Sequence, residues 1–294
     1  MRADRIRKGR AIAGLFGAAA LASCAVPVPP DAETNGAALT FVSLNPCIDA
    51  VLVEIAASDQ ILALSHYSRD PGASSMDPNL AAEFAYTGGT AEEVLALQPD
   101  IVLASSFIAP TTRAALERAG LRVETFGSPA SVPESLAQIR ELAALTGREA
   151  EGDALAERIN NALVEFPPMP AEQSVTAMLW QPGQIVPGEA TLVWEHLARF
   201  GLVNHAAAMG LGQAGFVSLE TVLANPPDLL LIAGDQPGQT HPLLDELDQT
   251  FVARFEPNLF YCGGPSIIRA QQRLSEIREA FMSNPPGGIT HDAR

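Results

Sequence analysis

The chain has 294 residues and a formal net charge of −16 at pH 7, with 34 acidic against 18 basic side chains. This charge argues against nucleic acid as a partner, because phosphate binding depends on clustered lysines and arginines. The length and the composition, 47% hydrophobic with only 6% aromatic residues, indicate an α/β protein with two domains.

The first 23 residues have the composition of a bacterial export signal. A basic cluster precedes an apolar run at 11–23 that is too short to span a bilayer. The run ends in Leu21-Ala22-Ser23-Cys24, which resembles the lipobox of bacterial lipoproteins. We expect Cys24 to carry a lipid and the Pro-rich segment 24–37 to serve as a tether; ordinary cleavage after Ala22 is the alternative. The predicted location is periplasmic, with membrane attachment only through Cys24.

The next feature is a sequence motif that occurs twice, at 90–104 and at 218–231. Each copy reads as a hydroxyl N-cap, a short helix, a Pro-Asp break and a continuous apolar strand. Such strands are typical of parallel sheets that are buried on both faces. The repeat therefore predicts two related lobes with a cleft between them.

The first lobe is predicted at 38–128 as alternating strands and helices. Its strands are expected at 39–44, 61–65, 101–104 and 122–126, and its helices at 47–57, 92–98 and 110–119. Two helical runs fill the connecting segment 129–168, and the second is long enough to act as a strut between the lobes or to lie on the surface.

The second lobe, predicted at 169–283, repeats the alternation, and 284–294 is expected to be a disordered tail. Its strands are expected at 175–180, 229–233 and 258–261, and its helices at 191–200, 219–224, 242–251 and from 266 through Phe281. Right-handed crossovers in such alternating chains give mainly parallel sheets.

Functional side chains of α/β lobes lie just beyond the carboxyl ends of the strands. That rule selects residues from both lobes as candidate ligand contacts: Asn45, Tyr67, Arg69, Phe107, Trp180, Asp235 and Gly263. For Trp180 the alternatives are a ring at the cleft wall and a ring packed inside the second lobe. For Tyr67 the alternatives are a ring that stacks on the ligand, a ligand of iron, and a side chain that only anchors its loop. His66 is expected to point the opposite way if the chain is extended there.

The pattern as a whole resembles the class III periplasmic binding proteins, the iron-siderophore and vitamin B12 family of ABC importers. The resemblance covers about 40–281 and rests on Ser43-Leu44-Asn45-Pro46, the two repeats and the segment 146–150. It implies two αβ lobes with mainly parallel sheets, joined by one long connecting α-helix, with the ligand cleft between them. It also implies a metal chelate as transported cargo, no catalytic residues, no resident cofactor or metal, and a monomer.

The resemblance further assigns a docking role to an acidic residue at the start of the repeated helix in each lobe. The matching residues are Glu92 and Glu220, which would pair with arginines of the inner-membrane permease dimer. The alternative is that they only favour the helix dipole there. The expected cleft has aromatic residues and few positive charges. This composition favours cobalamin as the cargo, and a ferric siderophore or haem is the next candidate.

Two cysteines, Cys47 and Cys262, remain after Cys24. A disulfide is our main expectation in an oxidising compartment, with a thiolate metal site or buried thiols as alternatives. Two rival functions are a sensor or accessory protein of the same fold and a two-domain transferase enzyme. The enzyme would need a phosphate-binding glycine loop between a strand and a helix, and Gly210-Leu211-Gly212-Gln213-Ala214-Gly215 lacks that context.

Overall fold

The computed structural model describes residues 38–212 and 214–286. The predicted export signal at 1–23, Cys24, the tether up to residue 37 and the predicted tail beyond 286 lie outside the described residues. None of the helices in the described part is both long and apolar enough to cross a membrane. The residues that the structure describes form two α/β lobes, as the sequence predicts.

The first lobe is built around a parallel sheet with the strand order β3-β2-β1-β4-β5. Its elements are β1 (Phe41–Ser43), α1 (Pro46–Ile55), β2 (Ile61–Ser65), α2 (Pro78–Ala81), β3 (Tyr86–Thr87), α3 (Ala91–Leu97), β4 (Ile101–Ser105), α4 (Pro110–Arg118) and β5 (Arg122–Phe126). Because successive strand residues point to opposite faces, Phe41 packs towards α1 while Val42 packs towards α3 and α4.

Two antiparallel helices leave this lobe, α5 (Val132–Thr146) and α6 (Glu149–Glu165). They turn at Gly147, whose φ of 69° is left-handed. Leu155 and Ile159 of α6 belong to the core of the first lobe. At its other end, the carbonyls of Leu163 and Phe166 accept hydrogen bonds from Arg199 of the second lobe. The helix α6, about 26 Å long, therefore contacts both lobes as a strut.

The second lobe repeats this construction around a parallel sheet with the order β11-β10-β6-β8. Its elements are β6 (Val175–Trp180), β7 (Ile185–Val186), α7 (Leu192–Arg199), β8 (Leu202–Asn204), α8 (His205–Ala208), β9 (Gly215–Phe216), α9 (Leu219–Ala224), β10 (Leu229–Ile232), β11 (Phe251–Arg254) and α10 (Ser266–Ser283). Strands β7 and β9 form a separate antiparallel pair.

Two predicted elements of the second lobe are wrong. The expected helix at 242–251 is only a 3₁₀ turn, Pro242–Glu246, followed by the edge strand β11. The expected strand at 258–261 is instead a 3₁₀ turn, Pro257–Leu259. Pro257 has no N–H for a sheet ladder, and the ladder position beside β10 is already filled by β11.

The Pro-Asp break of the repeat has the same structural role in both lobes. Asp100 Oδ2 accepts hydrogen bonds from the N–H and the hydroxyl of Thr40, each at 2.8 Å. Asp228 Oδ2 accepts from the N–H and the hydroxyl of Thr176, at 2.9 and 2.7 Å. Each aspartate therefore fastens the first strand of its lobe, β1 or β6, to the strand that follows the repeated helix.

Candidate ligand cleft

The carboxyl ends of the parallel strands in each lobe carry the loops that form a candidate cleft. In the first lobe these loops follow β1, β2, β3 and β4, and they line one pocket of about 300 Å³. The pocket's residues are Leu44, Ser65, His66, Tyr67, Thr87, Gly88, Gly89, Ser105, Phe107, Ile108, Ala109 and Thr112. This is the edge at which α/β sheets hold their ligands.

Two aromatic residues proposed from the sequence lie in this pocket. Tyr67 is 51% exposed and Phe107 is 83% exposed. Phe107 begins a turn that is fixed by its N–H donating to the Ser105 hydroxyl at 3.1 Å. Both rings are therefore open to solvent on the pocket wall, where they can contact a ligand.

His66 also lines the pocket, and the sequence interpretation of its direction is wrong. The chain is not extended there, because His66–Arg69 is a 3₁₀ turn capped by Ser65. Since such a turn has three residues per revolution, neighbouring side chains do not alternate. The rings of His66 and Tyr67 are 4.0 Å apart between centroids, and His66 Nδ1 lies 3.3 Å from the carbonyl oxygen of Thr87.

A second pocket of about 310 Å³ forms the floor of the cleft and is lined by both lobes. Residues 128–130 enter it from the first lobe, and Gln181, 190–193 and 260–263 enter it from the second. The lobes touch here through the carboxylate of Glu195, which accepts from the N–H of Val132 at 2.9 Å. The sequence interpretation missed this floor, except for Cys262 and Gly263.

Gly263 lies in the floor where the backbone passes closest to α5. A Cβ atom at this position would lie 2.4 Å from the Ser135 hydroxyl oxygen. The same hydroxyl accepts a hydrogen bond from the N–H of Gly264 at 2.8 Å. A glycine at 263 thus allows the loop before α10 to pack on the helix that leaves the first lobe.

Cys47 and Cys262 form a disulfide beside this floor, with Cα atoms 5.1 Å apart. Cys47 lies in the first turn of α1, and Cys262 lies in the loop that leads into α10. The bond therefore joins the two lobes covalently at the base of the cleft.

The second lobe offers a further wall beyond the carboxyl ends of β6 and β10. The N–H of Gly183 donates to Gln236 Oε1 at 2.8 Å, so the two loops lie side by side. Phe216, on β9, is 65% exposed and is paired with Ile185. Asp235 is exposed in the loop after β10. Nothing in the sequence distinguished Phe216, which precedes the N-cap Ser218, from a core residue.

Trp180 lies in the core and not at the cleft wall. Its side chain is 0% exposed and packs with Val217 and Leu244, and its indole N–H donates to the Val217 carbonyl at 2.8 Å. Residues 217 and 244 approach it from later segments of the chain. Burial of the ring against these segments removes Trp180 from the ligand-contacting surface.

Asn45 and Arg69 have other contacts in the structure. Asn45 is buried, and its side-chain oxygen accepts from the N–H of Cys47 at 3.0 Å as the N-cap of α1. The guanidinium of Arg69 lies 4.1 Å above the Tyr86 ring and donates to the Phe84 carbonyl at 2.9 Å. Neither residue lines the two cleft pockets described above.

Glu92 and Glu220 occupy equivalent, exposed positions in the first turns of α3 and α9. Each helix begins at the cleft side of its sheet, because it runs back to the amino end of a parallel strand, β4 or β10. Hydrogen bonds from its own backbone N–H and from Ser218 lower the pKa of Glu220. Glu93, not Glu92, reaches back to the Thr87 hydroxyl at 2.9 Å.

One buried carboxyl group lies directly beneath the first-lobe pocket. Asp49 of α1 is 0% exposed, and burial raises its pKa to about 7 against the opposing effect of hydrogen bonds from Ser68 and Ser65. Within the described ranges no three His, Cys, Asp or Glu side chains converge as they would around a metal ion. The described cleft therefore has aromatic and hydroxyl groups as its main contact chemistry.

Comparison with known proteins agrees with this architecture. Residues 41–253 match the family described as periplasmic binding protein. No curated protein sequence matches the chain.

Solved structures of the same fold include three periplasmic proteins. The heme-binding protein RhuT from Roseiflexus sp. RS-1 is 19% identical, with a TM-score of 0.64, over 84% of this chain and 98% of its own. The vitamin B12 binding protein BtuF of Vibrio cholerae is 17% identical, with a TM-score of 0.65, over 84% and 99%. A heme-binding protein from Pseudomonas aeruginosa is 22% identical, with a TM-score of 0.61, over 84% and 94%.

The family match covers well over half of the chain, and the two lobes, their parallel sheets and the α6 strut have the arrangement of these structures. The chain therefore belongs to the periplasmic binding protein family, in its class III group of substrate-binding proteins of ABC importers.

Proposed function

We propose that the protein captures a weakly charged metal chelate in the cleft, with cobalamin as the favoured cargo, and delivers it to an ABC permease. The observation that carries this proposal is the chemistry of the two cleft pockets. Among the described residues that line them there is no lysine, arginine, aspartate or glutamate. Anionic cargo would leave its charge without a partner on these walls.

The uncharged walls suit a corrin ring with neutral amide arms. Tyr67 and Phe107 offer exposed rings for the apolar face of such a cargo. The hydroxyl of Thr112 and the amide of Gln181 lie on these pocket walls and can pair with amide donors and acceptors of the cargo. The similar Vibrio cholerae protein is a vitamin B12 binding protein, which agrees with this choice.

Haem is the second candidate because of the adjacent His66 and Tyr67 rings. A tyrosine or a histidine can bind haem iron as an axial ligand, and these two residues line one pocket with ring centroids 4.0 Å apart. Two of the similar structures are heme-binding proteins. Haem carries two propionates, however, for which the pockets described here offer no cationic partner.

Delivery to the permease is proposed to use Glu92 and Glu220. Two exposed carboxylates, one on the cleft side of each lobe, present a matched pair of negative charges to arginines on a permease dimer. In the same proposal, Cys24 anchors a monomer to the periplasmic face of the membrane through its lipid. A sensor of the same fold would keep the cleft but not this docking role.

The experiment is a calorimetric titration of the purified protein with cyanocobalamin, haem and a panel of ferric siderophores. We expect one-to-one binding of cyanocobalamin with a dissociation constant in the micromolar range or below. Haem bound through Tyr67 would instead give a haem absorption spectrum that changes in Tyr67→Phe and not in Phe107→Leu. Tight binding of a ferric siderophore alone would contradict the argument from uncharged walls.

A further inference from the structure

The turn His66–Arg69, which brings both His66 and Tyr67 into the first-lobe pocket, rests on a single buried carboxylate. Asp49 Oδ2 accepts from the N–H of Ser65 at 2.8 Å and from the Ser68 hydroxyl at 2.5 Å. Ser65 in turn accepts, through its hydroxyl, the N–H of Tyr67 at 3.3 Å. Asp49 thereby contacts the residue before the turn and a residue within it.

The chain beyond the turn is fastened to the second lobe. The Ser75 hydroxyl accepts from the N–H of Cys262 at 3.2 Å, and the guanidinium of Arg269 donates to the Ser75 carbonyl. Ser74 and Ser75 are buried in this loop. Asp49 thus holds one end of a loop whose other end is held by the lobe across the cleft.

We propose that Asp49 is a positioning residue of the cargo site, which sets the orientation of the Tyr67 ring by holding the His66–Arg69 turn from below. This inference rests on the proposed function, because it requires Tyr67 to contact cargo. Asp49 itself does not line the pocket. It acts only through Ser65 and Ser68.

The burial of Asp49 makes it possible to measure its effect on the turn separately from its effect on the stability of the fold. Its other oxygen, Oδ1, has no hydrogen-bond partner among the described residues. The neutral form of the group is favoured there, since burial raises its pKa to about 7. Above that pH an asparagine, which can accept the same two hydrogen bonds without a charge, should therefore fold at least as well.

The test is a double-mutant cycle between Asp49 and Tyr67, read as affinity for cyanocobalamin, with haem as second probe. Asp49→Ala and Ser68→Ala are each measured with Tyr67 present and in the Tyr67→Ala background. Ser74→Ala is the matched control, because Ser74 is equally buried in the same loop but caps Met76 N–H instead of the turn. Thermal unfolding of each variant at pH 8 monitors folding.

We expect Asp49→Ala, which removes both hydrogen bonds that hold the turn, to weaken binding about tenfold, and Asp49→Asn, which can keep them, to retain most of the affinity. In the Tyr67→Ala background the same change should have almost no further effect. Ser68→Ala, which removes one hydroxyl, should follow Asp49→Ala in direction.

Three results would overturn the inference. Affinity unchanged in both Asp49→Ala and Ser68→Ala would show that the turn does not need this support. Equal losses with and without Tyr67 would show that Asp49 acts elsewhere. Binding of neither probe by the wild-type protein would contradict the proposed function and this inference with it, and the wild-type titration distinguishes that case from the other two.

Discussion

Two buried titratable residues, one in each lobe, make opposite contributions to the pH dependence of folding. Burial raises the pKa of Asp49 from 3.8 to about 7, so its stabilising contribution is present below pH 3.8 and is lost as the pH rises through 7. Burial, with a smaller effect of Arg199, lowers the pKa of His196 from 6.5 to about 4. Its contribution is present above pH 6.5 and is lost as the pH falls towards 4.

These contributions should nearly cancel in the wild type between pH 4 and 6.5. In Asp49→Asn, the free energy of unfolding should fall more steeply on acidification than in the wild type, by about 1.4 kcal/mol per pH unit as an upper limit. In His196→Gln, which can keep the contact with Gln271, it should instead rise. Urea unfolding between pH 4.5 and 8 measures both slopes, and parallel curves for all three proteins would contradict this account.

For individual residues, some of the ligand contacts predicted from the sequence lie in the cleft and others do not. Tyr67 and Phe107 follow strand ends and lie on the pocket wall by that rule. Trp180 follows the same rule but is covered by Val217 and Leu244, which come from segments far along the chain. His66 was misplaced because a 3₁₀ turn has no periodic signal in the sequence. Local patterns identify strand ends, whereas tertiary neighbours decide which of their side chains remain exposed.

At the scale of elements, the helix caps and apolar strands were readable because their signals are local. Thr90 and Ser218 are N-caps in the structure, with hydroxyls that accept N–H groups three residues later. The edge strand β11 was missed since it is short, alternates between half-buried and exposed residues, and pairs with β10, a partner distant in sequence. The length and place of α6 follow from the Gly147 turn and the proline pair after Phe166.

The contact between the loop before α10 and helix α5 should be intolerant of any side chain at Gly263. Gly263→Ala would place its methyl group 2.4 Å from the Ser135 hydroxyl oxygen, so we expect it to lower the free energy of unfolding by about 1–3 kcal/mol. Gly212→Ala is the control, because a methyl group there meets no atom of the described residues within 4 Å. Chemical denaturation compares the two, and equal stability would mean that the loop shifts without cost.

At the scale of the whole molecule, the Cys47–Cys262 disulfide closes most of the chain into one loop. The cysteines are 215 residues apart, for which chain entropy gives a stabilisation of about 5 kcal/mol. Reduction should therefore lower the urea midpoint strongly, and a Cys47→Ser/Cys262→Ser variant should unfold early with or without reductant. A midpoint that is the same in oxidised and reduced wild type would argue against a tie between the lobes.

Permease docking by both lobes is tested by charge reversal. Glu92→Arg with Glu220→Arg should leave cargo affinity unchanged but reduce uptake by cells about tenfold or more, because arginines would face arginines. Glu149→Arg is the matched control, an exposed glutamate in the first turn of α6. Uptake that is normal in the doubly reversed variant would exclude delivery through these residues and favour the sensor alternative.

The central claim is that the cleft captures cargo through the rings of Tyr67 and Phe107, and the most direct measurement is titration of cyanocobalamin into wild-type and variant protein. We predict one-to-one binding by the wild type and by Val164→Ala, an equally apolar and exposed site on α6 away from the cleft pockets. Tyr67→Ala/Phe107→Ala should bind about 100-fold more weakly, since the cargo would no longer cover two aromatic rings on binding. Equal affinity in all three proteins, or none in the wild type, would contradict the claim.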